Sequence, residues 1–127
     1  MKIQMQRQSL RLRVSEQQLA ALRAGEAVEN LTRLAPGAVC RQVVTATDDG
    51  PACLEISPVV WSLRLPRQAL EAYAARLPCR EGLGFALPTG DEEVLQVSFE
   101  VDVRDSVRHR GTAKRKPAPD GDDERTV

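Results

Sequence analysis

The tetrapeptide Ser-Leu-Arg-Leu occurs twice, as Ser9-Leu10-Arg11-Leu12 and as Ser62-Leu63-Arg64-Leu65, and each copy runs into a helical pattern. Alternation with a period of two, followed by apolar residues three and four apart, predicts a half-buried strand feeding a short amphipathic helix. A helix of that length cannot stand alone in water, so each must pack on a sheet. The echo therefore restricts the chain to an α+β fold: an antiparallel or mixed sheet, barrel-like in its core, with two short helices and an internal β-α-β pseudo-repeat.

The two copies share a break of parity. Ile3 and Met5 fall on odd positions, while Leu10, Leu12 and Val14 fall on even ones; Leu54 and Ile56 are even, while Val59, Trp61, Leu63 and Leu65 are odd. Because a shift of one residue moves a strand's side chains to its other face, something must reset the register in each unit. Without a glycine between Gln6 and Ser9, a bulge or irregular bend is the expectation there. Arg11 and Arg13 then point away from the core.

Ser15 is suited to an N-cap and Glu16 to a first turn, with Leu19 and Leu22 on one face and Gly25 as the stop. In the second unit Pro66 suits the first helical position, and Leu70, Tyr73 and Leu77 share a face before Pro78 and Gly82 end the helix. Residues 27–34 read as a weak strand and 39–47 as an extended β-branched run. Asp48-Asp49-Gly50-Pro51 is the strongest turn signal and predicts a hairpin-like reversal. A short strand over 84–87, a turn at Pro88-Thr89-Gly90-Asp91 and a long strand over 94–103 complete the pattern, with Val97, Phe99, Val101 and Val103 on the core face.

One domain over residues 1–103 is the expectation, followed by a disordered charged tail over 104–127. The tail has no apolar periodicity and carries a basic cluster, then an acidic one. Aromatic residues make up only 3% of the chain, so the core must be mainly aliphatic. Eighteen basic and eighteen acidic side chains cancel, which removes any global field toward nucleic acid or membrane. The N-terminal segment has no apolar run of the secretory kind and no stretch approaches a membrane span, so a cytoplasmic protein is expected.

Lys2-Ile3, then Ser9-Leu10-Arg11-Leu12-Arg13-Val14, a capped helix and Gly25-Glu26-x-Val28-Glu29 resemble the opening of a family of short uncharacterised bacterial proteins. Leu63-x-Leu65-Pro66, an aromatic-containing helix and Gly82-x-Gly84-Phe85 resemble that family's middle section, although the tail departs from its usual acidic ending. This resemblance implies no activity. Each half alone is also similar to the β-α-β unit of swapped-hairpin transition-state regulators and antitoxins, and that resemblance implies DNA binding and a pseudo-dimer within one chain.

Catalytic and metal constellations are not evident. Cys40, Cys53 and Cys79 lack metal-ligand spacing, and the single His109 falls in the tail, so neither metal nor cofactor is expected. Asp91-Glu92-Glu93 reads as a solvated turn. The candidate binding residues are Arg11, Arg13 and Arg64: if the echoed strands lie side by side, their guanidinium groups form a patch for phosphate or carboxylate. The plainer reading is a solvated strand face. Two function classes follow, a non-enzymatic binding or assembly module and a nucleic-acid-binding regulator, with a small interface enzyme as a third. A homodimer is compatible with all of them, and a membrane partner with none.

Overall fold

A computed structural model describes residues 1–102, so the tail and His109 lie outside the described residues. The chain forms β1 (Lys2–Gln6), β2 (Ser9–Val14), α1 (Glu16–Arg23), β3 (Val28–Ala35), β4 (Ala38–Thr47), β5 (Cys53–Ile56), β6 (Trp61–Pro66), α2 (Arg67–Arg76), β7 (Leu83–Pro88) and β8 (Val94–Val101). The strands make two four-stranded mixed sheets, ordered β1-β2-β8-β7 and β3-β4-β6-β5. The fold is α+β as expected, in two sheets rather than a closed barrel.

Four hairpins account for all eight strands. β1-β2 and β7-β8 build the first sheet, and β3-β4 and β5-β6 build the second. Each sheet thus takes one hairpin from each half of the chain, joined by a parallel central pair: β2 with β8, and β4 with β6. The registers correspond as well. Leu10 opposite Val97 and Arg11 opposite Ser98 in one sheet stand where Leu63 opposite Val44 and Arg64 opposite Thr45 stand in the other. The sequence echo is therefore the local trace of a pseudo-twofold exchange of hairpins.

Both parity breaks are hairpin turns, which corrects the expected bulge. Met5 pairs with Leu10 and Ile3 with Leu12, and directly opposed residues of antiparallel strands share a face, so the parity must change across a two-residue turn. Arg7 supplies that turn by adopting a φ of 53°, a conformation that hairpin turns need and that glycine more often provides. In the second unit the Ser57 N–H donates to the Val60 carbonyl at 2.9 Å. The reversal at residues 48–51 also differs from expectation: it turns the chain without making a hairpin, because β6 lies between β4 and β5.

The α1 boundaries follow from its caps. Ser15 Oγ accepts from the Gln18 N–H at 3.0 Å while Gln18 Oε1 accepts from the Ser15 N–H at 2.9 Å, closing a capping box. At the other end the Gly25 N–H reaches the Leu22 carbonyl and the Glu26 N–H the Ala21 carbonyl, at a Gly25 φ of 92°. This is the Schellman arrangement that a left-handed glycine permits. α2 begins directly after β6, with Pro66 ending the strand and serving as N-cap without a side-chain bond.

The two inner sheet faces and the two helices share one core. Leu10, Leu12 and Val14 meet Val97, Phe99 and Val101, and Leu63, Leu65 and Val44 line the other sheet. Leu19 and Leu22 of α1 and Leu70 and Tyr73 of α2 close it. It is aliphatic apart from Tyr73 and Phe99, whose rings meet edge to face at 6.2 Å. No described helix is long and apolar enough to cross a membrane.

Candidate functional site

The sequence-derived arginines are placed apart. β2 and β6 belong to different sheets, so Arg11 and Arg13 do not lie beside Arg64 on adjacent strands, and the expected three-residue patch is not built in that way. Parallel pairing of β2 with β8 instead sets Arg13 opposite Glu100. That carboxylate lies 3.3 Å from Arg13 Nη2 and 3.5 Å from Arg11 Nε. Arg64 donates to Cys53 Sγ at 3.6 Å and lies 3.2 Å from Glu55, and these two neighbours raise its pKa further, the sulfur first. All three arginines project outward as the alternation predicts, each already facing an acceptor.

A cavity of about 400 Å3 opens where β2 and β8 end, walled by Arg13, Tyr73, Cys79, Arg80, Glu100 and Asp102 among others. The Tyr73 hydroxyl is committed to the fold: it accepts from the Val101 N–H at 2.9 Å, and burial pushes its pKa above 10.0. Cys79 Sγ donates to the Glu81 carbonyl at 3.3 Å. A second cavity, of about 510 Å3, lies beside the ends of β4 and β6, where Arg67 Nε meets Asp48 at 2.7 Å. Arg13 and Glu100 at the first cavity, like Arg67 and Asp48 at the second, are joined in ion pairs. Among the described residues no group of His, Cys, Asp and Glu could hold a metal ion. Asp91 and Glu92 occupy an exposed turn with φ of 44° and 64°.

The distribution of apolar surface is more distinctive. Within each sheet the parallel central pair puts both hairpin turns at one end. The helices leave from the other end of each sheet and pack on one another, with Arg23 Nη2 at 2.8 Å from Glu71 and Arg67 Nη1 donating to the Arg23 carbonyl at 3.0 Å. In each sheet the two turns therefore lie at the end away from the helix that leaves it. Every large exposed hydrophobic residue described lies toward that end: Met5 on β1, Leu31 and Leu34 on β3, Val39 on β4, Ile56 and Val59 around the β5-β6 turn, and Val94 at the start of β8. Leu31, Leu34, Ile56 and Val59 are each more than 60% exposed.

The β3-β4 hairpin contributes most. Residues 31–39 are all exposed, and Leu34 is the extra residue where the register slips between Arg33 and Ala35. Below it, Arg41 holds the Glu29 carboxylate in a two-pronged pair at 3.0 and 3.1 Å and keeps its pKa below the usual carboxylate range. Sequence reasoning missed this surface. Its only signal was the broken alternation of residues 27–34, which has no consistent core face because the hairpin runs past the core. Comparison of the chain with models of protein families, with curated proteins and with solved structures finds no match.

Proposed function

We propose that this chain is a non-catalytic association module that docks through its hairpin end. The observation that carries the reading is the gathering of exposed Leu, Ile and Val side chains at the four turns, while the opposite end is closed by two packed helices and their ion pairs. Exposed apolar residues scattered singly need no explanation, but a concentration at one end of a small domain marks a contact surface. A photo-crosslinking residue at Leu34 or Val59 should give protein adducts in its native cell, and the same residue at the helical position Gln17 should not. Equal yields from both ends, or a turnover activity abolished by one point substitution, would overturn the reading.

The exchange of hairpins between halves supports a second reading, a nucleic-acid-binding regulator of the swapped-hairpin type. It predicts a salt-dependent mobility shift that weakens on Arg11→Ala with Arg13→Ala. The shared Glu100 favours the first reading, since phosphate would have to displace a carboxylate already within 3.5 Å of both guanidinium groups.

A further inference from the structure

A sheet has two edges, and three of the four edges here are poor templates for another strand. β5 has only four residues and is flanked by Pro51 and Pro58; β7 contains Gly84 and ends on Pro88; β1 is five residues long and opens on Lys2. β3 is different. It runs for eight residues without Pro or Gly, pairs on one side only, and exposes Leu31 at 65% and Leu34 at 68%. Natural sheet proteins shield such edges, because their unpaired N–H and C=O groups accept another strand.

The order of side chains along β3 indicates which strand. Glu29, Leu31 and Arg33 lie on one face, opposite Val43, Arg41 and Val39 of β4. The segment is charge-complementary to its own reverse: in an antiparallel pairing centred on Leu31, Glu29 meets Arg33 of the second copy, Leu31 meets its own counterpart, and Arg33 meets the second Glu29. Arg33 has no side-chain hydrogen bond or ion pair among the described residues, so its charge is available, while Glu29 is already held by Arg41 and would lie in the dimer between Arg41 of its own chain and Arg33 of the second copy. Opposite charges directly across a strand pair stabilise it and fix its register.

We infer that β3 is a self-association edge, pairing antiparallel with β3 of a second copy about Leu31 to join two four-stranded sheets into one of eight strands. This deepens the association reading above, on which it rests, by naming the partner. The twofold closes on itself, because the bulge at Leu34 ends the ladder and the remaining edges are short or interrupted by Gly and Pro, so the product is a dimer and not a filament.

Sedimentation equilibrium of the full chain tests this. Over the micromolar range the mass should rise from 14.0 kDa to twice that value. Leu31→Lys and Arg33→Glu each place like charges across the twofold and should weaken the dimer roughly tenfold or more. Arg33→Lys should preserve it, as should Val59→Lys, which lies outside β3 in the same exposed end. Leu31 and Arg33 are exposed, so unchanged circular dichroism should accompany the loss of mass. A single-chain mass for the native protein at every concentration overturns self-association while leaving docking to another partner open to the crosslinking test. If Val59→Lys dissociates the dimer and Leu31→Lys does not, the contact runs through the turns, and the β3 pairing is wrong.

Discussion

Replacing Tyr73 with phenylalanine removes one oxygen from the centre of this fold, and the structure indicates what that oxygen does. Tyr73 is 1% exposed and its hydroxyl accepts from the Val101 N–H at 2.9 Å, tying α2 to the last residue of β8. The ring keeps its edge contact with Phe99 in the variant, so packing is nearly unchanged. What remains is a buried backbone donor with no acceptor. Leaving such a group unsatisfied costs about 1–3 kcal/mol. A domain of this size should then melt roughly 5–20 °C lower. Urea denaturation at neutral pH should show a lower midpoint at constant m-value, the signature of lost stability without a changed denatured state. The pH dependence gives an independent check. Burial, partly opposed by the Val101 hydrogen bond, raises the folded-state pKa of Tyr73 above 10.0, so the unfolded chain ionises first. The stabilisation of the neutral phenol is complete below pH 10 and is lost as pH rises through the folded value. The gap between native protein and Tyr73→Phe should therefore narrow in alkali. A cost below about 0.5 kcal/mol at neutral pH, where a net hydrogen bond is worth at least that much, would refute the argument.

Four further substitutions test other parts of the fold. Gly82→Ala should destabilise by about 1–3 kcal/mol on chemical denaturation, since an added Cβ would lie 2.5 Å from the Phe99 carbonyl oxygen, which as backbone has little room to move. Gly84→Ala, with nothing within 4 Å, should be tolerated, and the contrast between the two is the measurement. Ser15→Ala opens the capping box of α1 and should cost about 1 kcal/mol, read as a lowered urea midpoint. Leu65→Ala, at a wholly buried position between sheet and helices, should cost about 2–5 kcal/mol by calorimetry, the upper part of that range if the cavity cannot collapse.

Signals confined to a few neighbouring residues were legible in the sequence. Ser15, Glu16 and Gly25 bracket α1 because caps are local chemistry, and the alternation of Val97, Phe99 and Val101 marks the core face of β8 because that strand is buried on one side along its length. Arg7 was not legible, since a left-handed arginine gives no sign of its conformation, and the parity break around it could equally have been a bulge. Nor could Asp48-Asp49-Gly50-Pro51 show that β6 would enter beside β4: a turn signal reports that the chain reverses and not what comes to lie beside the reversed strand. The same limit separated Arg11 and Arg13 from Arg64. Their identical local context suggested adjacency, whereas the exchange of hairpins gave each strand a different partner and gave Arg13 a carboxylate 87 positions away. The exposure of Leu31 and Ile56 was not legible either, because hydrophobicity cannot distinguish a side chain inside a sheet from one on a hairpin that outruns it.

The parallel pair β2-β8 also dictates an order of assembly as the chain is synthesised. β4 and β6 come together across a short intervening segment, so the second sheet can close while synthesis continues. β2 is made early but meets its neighbour only when β8 has been translated, 87 positions later at the Arg13-Glu100 contact. At ordinary rates of elongation that is a wait of roughly 4–17 s. Throughout it Leu10, Leu12 and Val14 belong to a hairpin without a sheet.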